Sequence, residues 1–184
     1  MAWRHPCAPF TRRAGHVVDI MSAFGQAWNL ASRVLWGIAK YTRDDAEVMK
    51  KTLVLVVDRD DDFGYKGGVE SPVIGVEACS VAATALVIAD PEDSDINALY
   101  AAINIYKDLC NDRNQTVEVA LICGDQKVGY RSDSAIVEEL ELVIERVRPD
   151  RIILVGDGAE DEYVYPIISS RVRIDSVRKV YVKR

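Results

Sequence analysis

The residues best suited to chemistry are aspartates that follow apolar runs. Asp58 and Asp60 come after Leu53-Val54-Leu55-Val56-Val57, Asp125 comes after Cys123-Gly124, and Asp157 stands between Gly156 and Gly158. Carboxylates gathered in one place repel each other, and the usual remedy is a divalent cation such as Mg²⁺ held by oxygen ligands, often with phosphate completing its shell. Asp58, Asp60, Asp125 and Asp157 are therefore candidate metal ligands, with Asp58 and Asp60 the candidates for catalysis, and the expected companion is a phosphate-bearing molecule. Lys66 and Lys127 occupy glycine-containing loops from which a lysine can neutralise phosphate oxygens. The amides of Gly67, Gly68, Gly124, Gly156 and Gly158, with the helix N-termini beyond them, can cradle an anion. The same residues also admit a plain reading, because aspartates after strands cap helices and solvate turns. Asp61, Asp62, Glu160 and Asp161 suit that reading best. Asp90-Pro91-Glu92-Asp93-Ser94-Asp95 also reads as a helix cap, with Asp93 or Asp95 the members able to reach a site.

Positioning these groups requires strands that end together. The apolar run at 53–57 has the composition of a strand buried on both faces, and loops at the carboxyl ends of such strands are where ligands bind. Apolar spacing predicts helices over Gly75–Ile88 and Ile96–Cys110, the second capped by Asp and Ser. A strand follows over Val117–Ile122, then a helix over Asp133–Val147 capped by Ser132. Further strands are expected over Ile152–Val155 and Val177–Val182, with a short helix to about Ser170 between them. This alternation predicts an α/β fold: a Rossmann-like three-layer sandwich with a parallel sheet of four to five strands, the 53–57 strand in its middle. Right-handed crossovers then bring Asp58, Asp60, Asp125 and Asp157 to one edge.

Composition excludes several alternatives. The net charge of −6 argues against a nucleic-acid coat. The imbalance is local: residues 1–43 hold six Lys or Arg against one acid, so a basic arm precedes an acidic body. His5 and His16 both lie in that arm, which leaves the body without a Ser-His-Asp triad or a histidine-bound catalytic zinc. Neither GxxxxGK[ST] nor GxGxxG occurs. Cys7, Cys79, Cys110 and Cys123 form no CxxC pair; Cys79 and Cys110 read as buried, reduced apolar residues, and Cys123 as a candidate to line the site. The chain divides into residues 1–48, the arm, and 49–184, the α/β domain. Val17, Met21, Phe24, Trp28, Ala31, Leu35 and Ile38 give the arm one amphipathic helix, expected to dock on the domain, to form a homodimer contact or to lie on a membrane surface. A start at Met49 is the further alternative for this arm.

Four stretches carry a resemblance: VDRDDDFGYKGGVESPVIG (57–75), ADPEDSDINALYAAINIY (89–106), ICGDQKVGYRSD (122–133) and ILVGDGAEDEYVYPIISSRVRIDSVRKVYVKR (153–184). In these the chain resembles the archaeal membrane-protein family known as domain of unknown function 373. The resemblance spans about 49–184 and implies a Rossmann-like cytosolic domain, with the cytoplasmic face of a membrane as the alternative location, but it brings no reaction. Its members continue into transmembrane helices, whereas this sequence stops at Arg184, and the basic finish from Arg171 to Arg184 would suit a cytoplasmic membrane surface. Two functional readings stand together. The first is a sensor or scaffold that binds a nucleotide or other small anion without turnover. The second is a Mg²⁺-dependent phosphohydrolase or phosphodiesterase. In the second, the spacing is similar to that of haloacid-dehalogenase phosphohydrolases, which implies Asp58 attacking phosphorus, Asp60 moving the proton, Lys66 or Lys127 holding the phosphoryl group and Asp157 with Asp161 binding Mg²⁺. Those enzymes carry Ser or Thr after their second strand, where this chain has Cys123-Gly124.

Overall fold

A computed structural model describes residues 50–111, 115–158 and 161–181. The arm, with the helix expected over 17–38, lies outside the described residues.

The first strand, β1 (Lys50–Asp58), organises the domain. Leu53, Val54, Leu55 and Val56 are all 0% exposed, which accounts for a run with no polar alternation: both faces of this strand are covered. Side chains still alternate in direction. Val54 and Val56 enter one apolar cluster, and Leu53 and Leu55 enter another.

The first cluster is covered by α2 (Val76–Ala89) and α3 (Asp95–Leu109), which contribute Cys79, Ala83 and Leu86, and Leu99 and Ile103. The second is covered by α4 (Tyr130–Val147), whose Ile136, Leu140, Val143 and Val147 recur at helical spacing, and by α5 (Asp161–Ser169) through Val164 and Ile168. A one-turn helix, α1 (Asp62–Tyr65), follows β1.

The sheet has five strands in the order β2-β3-β1-β4-β5. β3 (Gln115–Cys123) and β4 (Arg151–Gly156) flank β1 and run parallel to it, with Asp58 opposite Cys123 and Val56 opposite Val155. β5 (Ile174–Lys179) is parallel to β4. The central place expected for β1 is what the structure shows, and the sheet is mostly parallel as expected. The exception is β2 (Val73–Ile74), an antiparallel edge on Leu121 and Ala120. Two residues are too few to set up a period, so the sequence carries no pattern for it. β5 also begins three residues before the expected strand, since Arg173 and Asp175 interrupt its apolar pattern. Cys110, expected in the core, is exposed at the end of α3. No helix among the described residues is long and apolar enough to cross a membrane.

Candidate functional site

The buried run of β1 carries Asp58 into the interior, where its side chain is 0% exposed. Asp61 then takes a left-handed conformation, φ 59°, which turns the chain into α1 and lets Phe63 plug the core. This turn aims the Phe63 amide at Asp58, donating to Oδ2 at 2.8 Å. Oδ1 of Asp58 is buried with no hydrogen-bond partner. Burial pushes the Asp58 carboxyl up to about 7, against the lowering effect of the Phe63 amide and with added push from Asp60.

Two further elements meet this corner. The chain entering α3 brings Asp93, Ser94 and Asp95. Asp93 Oδ1 accepts the Asp95 amide at 3.0 Å, while the Ser94 hydroxyl, expected to cap the helix, instead donates to Asp157 Oδ2 at 2.8 Å. Asp157 arrives from the end of β4. Together they line a cleft of about 180 Å³ whose walls include Arg59, Asp60, Asp62, Asp95, Gly156 and Asp157. Carboxylate oxygens of Asp58, Asp60 and Asp95 all lie within 4.8 Å of one another. Burial, then the charges of Asp58, Asp93, Asp157 and Asp60, pushes Asp95 up to about 8. Three carboxylates this close, two of them held well above the usual range, form an oxygen-rich pocket suited to a hard cation such as Mg²⁺. A neighbouring group of Asp58, Asp61 and Cys123 has similar spacing. Burial raises the Cys123 thiol far above neutrality, and two carboxylates with a thiol make a softer donor set than three carboxylates.

The cations near the cleft are engaged. Lys66 Nζ donates to Asp62 at 2.7 Å, Asp90 at 2.8 Å and Asp93 at 2.9 Å, and these contacts raise its affinity for its proton. It ties α1 to the loop before α3, where the sequence reading had it free to hold phosphate. Arg59 is 8% exposed. Its Nη2 donates to Asp133 Oδ1 at 3.0 Å, and its guanidinium lies 4.5 Å from the centre of the Tyr163 ring.

The expected site residues thus separate into two groups. Asp60, Gly156 and Asp157 line the cleft together with Asp95, and Asp58 lies buried behind them, one of its carboxylate oxygens within 4.8 Å of those of Asp60 and Asp95. Asp125 and Lys127 do not line the cleft: β3 lies on the opposite side of β1 from β4, and Asp125 Oδ1 there accepts the Lys127 amide at 2.8 Å as a local turn. Gly124 also belongs to that side and serves packing, since a Cβ on it would lie 2.2 Å from the Arg59 carbonyl oxygen. Gly67 packs against the Phe63 carbonyl, with Gly68 beyond it, and neither lines the cleft. Gly158 lies beside the Lys179 side chain. Asp161 opens α5, and its side chain lies outside the described residues. Asp58, expected as an attacking nucleophile in the dehalogenase-like scheme, is fully enclosed. Ser132, expected as a cap, sits within α4, buried, and donates to the Arg59 carbonyl oxygen at 2.5 Å. The signal for Asp95 was the acid density of Asp90–Asp95, more than one helix cap needs. Nothing local marked Arg59 or Ser94, whose partners are distant in sequence.

This is an α/β domain with an acidic cleft at the carboxyl end of its central strands. A family model described as domain of unknown function (DUF373) matches residues 51–184, and the chain belongs to that family. An uncharacterized protein of Archaeoglobus fulgidus is 56% identical over 136 residues, 74% of this chain and 39% of that protein. Another, from Methanocaldococcus jannaschii, is 38% identical over 141 residues, 76% of this chain and 38% of the relative. Both relatives are archaeal, and the chain spans about two-fifths of their length. No solved structure matches it significantly.

Proposed function

We propose that this domain binds one divalent cation of the Mg²⁺ class through Asp58, Asp60 and Asp95, and through it a small phosphate-bearing ligand, acting as a sensor module rather than a hydrolase. The observation that carries this reading is the Asp58 carboxylate: fully buried, with Oδ1 unpartnered, and facing two more carboxylates. A buried polar oxygen without a hydrogen-bond donor costs free energy, and a cation held between the three carboxylates would offset that cost. Topology supports the same place. Read as a Rossmann-like three-layer sandwich, the parallel strands lead outward from β1 in two directions, first to β3 and then to β4. The crevice beside β1 and β4 is the point where the order reverses, which is where ligands of such sheets bind. The excess of carboxylate over cation in the cleft means that an anion enters with the metal, not before it.

Electron paramagnetic resonance with Mn²⁺ tests this. The free-ion signal should fall until one Mn²⁺ is bound per chain, should return on adding Mg²⁺, and should persist in Asp60→Asn and Asp95→Asn. Inorganic pyrophosphate should alter the bound signal. A free Mn²⁺ signal undiminished by the wild-type protein would refute the reading.

A further inference from the structure

We propose that the outer face of α2 is a docking site for an amphipathic helix of a partner protein, one whose apolar stripe is flanked by Lys or Arg at both ends. This face does not line the cleft, so the proposal stands apart from the cation reading.

A surface helix ordinarily turns charge outward, as α4 does with exposed Glu138, Glu141, Glu145 and Arg146. From Ala78 to Ala89, α2 holds no charged residue. One of its faces, that of Cys79, Ala82, Ala83 and Leu86, is buried in the core. On the other, Val81 is 71% exposed and Ile88 79%. These two stand two turns apart on one stripe, and with Ser80, Thr84 and Ala85 they line an open groove of about 430 Å³. The two hydroxyls do not make this groove polar. Ser80 donates to the Val76 carbonyl oxygen at 2.7 Å and Thr84 to that of Ser80 at 2.8 Å, so both protons stay within the helix. Val81 and Ile88 thus form ridges beside small side chains, and a second helix can approach closely along the row. A helix apolar on every side has the pattern of one that is covered on every side.

Charge at the ends selects the occupant. Glu77 is exposed and shares the stripe, since 77, 81, 84 and 88 follow the spacing of one helix face. Beyond the other end come Asp90, held by Lys66, and exposed Glu92. α2 itself contains no Lys or Arg. A second copy packed antiparallel would therefore set Glu77 against the acidic end of its partner, and one packed parallel would set Glu77 against Glu77. An anionic lipid surface meets the same repulsion and finds no base on the helix to hold it. A helix with Lys or Arg at each end of its apolar stripe meets neither cost. Its bases face Glu77 and Glu92, and its apolar side chains cover the roughly 16 Å between positions 77 and 88.

Display selection on the full chain tests this. The probe is a library of helices of about 18 residues, with a fixed apolar stripe and randomised ends. It is panned against the wild type, with counter-selection on Val81→Asp/Ile88→Asp. Both substituted side chains are exposed, so the variant should keep the wild-type circular dichroism spectrum. Selected peptides should carry Lys or Arg at both ends, and a labelled one should bind the variant about tenfold more weakly or worse. Glu77→Lys, a separate exposed change, should also weaken that peptide, most in low salt. Failure to select any peptide that prefers the wild type, or selection of acidic or uncharged ends, would overturn the proposal. So would a dimer in sedimentation that the double variant dissolves, which would make the occupant a second copy. Flotation with phosphatidylglycerol vesicles that the double variant loses would overturn it in favour of a lipid surface.

Discussion

The two sides of the end of β1 are built from the same kinds of residue and are finished differently. On the β3 side every polar group named has a partner. The Gly124 amide donates to the Asp58 carbonyl oxygen at 2.7 Å, and the Ser132 hydroxyl donates to that of Arg59. Arg59 pairs with Asp133, and Glu139 accepts the Cys123 amide and the Ser71 hydroxyl. On the β4 side a cleft remains, walled by the carboxylates of Asp60, Asp62, Asp93, Asp95 and Asp157. Glycine makes the difference at the first corner: Gly124 lets two backbones and a serine meet. At the second, Gly156 is followed at once by Asp157. A strand end with its polar groups satisfied is a joint. At the other, a carboxylate oxygen stays buried and unpartnered beside two further carboxylates, which is what the proposed cation would satisfy.

The largest expected effect falls on the joint. Gly124→Val would force its Cβ to within 2.2 Å of the Arg59 carbonyl oxygen and 2.3 Å of Ser132 Oγ. We expect about 3 kcal/mol or more of lost stability in urea melts; a loss under 1 kcal/mol would mean that the joint is not tightly packed.

Next is the cleft, where the effect reverses. Asp58 binds its proton more tightly folded, with a pKa of about 7, than unfolded, near 3.9. In chelator, stability should therefore be highest near pH 4, fall as pH rises through 7, and stay low above it, by on the order of 2–4 kcal/mol. Asp58→Asn should flatten this slope and be the more stable protein at pH 8 without metal. Added Mg²⁺ should stabilise only the wild type, because a ligand specific to the folded state adds stability as it saturates. Stability that rises from pH 4 to pH 8 in chelator would contradict the account of this corner.

A smaller change is expected at Lys66. Its side chain is about a third exposed, so solvent screens its three ion pairs, and Lys66→Met should cost about 1 kcal/mol, less in high salt. The smallest effect separates the two sides most cleanly. Asp125→Asn and Lys127→Ala should each change stability by less than about 0.5 kcal/mol and leave Mn²⁺ binding unchanged, since neither lines the cleft.

The sheet was legible because burial of a strand on both faces leaves an unmistakable apolar run, so Leu53–Val57 announced both its element and its central place. The helices were legible from their spacing, as with Ile136, Leu140, Val143 and Val147. Local chemistry predicted less well where a side chain had a distant alternative. Ser94 and Ser132 have the composition of caps, yet their hydroxyls go to Asp157 and to the Arg59 carbonyl oxygen, partners 63 and 73 residues away in sequence. Likewise, an aspartate after a strand says that it stands at the carboxyl edge of the sheet, but not on which side of the centre. Asp60 and Asp157 line one cleft for that reason, and Asp125 does not. Lys66 read as a phosphate ligand because its loop is rich in glycine, whereas the acids that claim it come from the segment before α3.

The most direct test of the central claim is calorimetric titration of Mg²⁺ into the wild-type domain and the Asp58→Asn, Asp95→Asn double variant, at pH 7, in two buffers of different ionisation enthalpy. The account predicts one saturable site in the wild type, with proton release to the buffer as the metal displaces protons held by Asp58 and Asp95, and no binding in the variant. Absence of heat in both proteins, or binding that survives the double substitution, would contradict it.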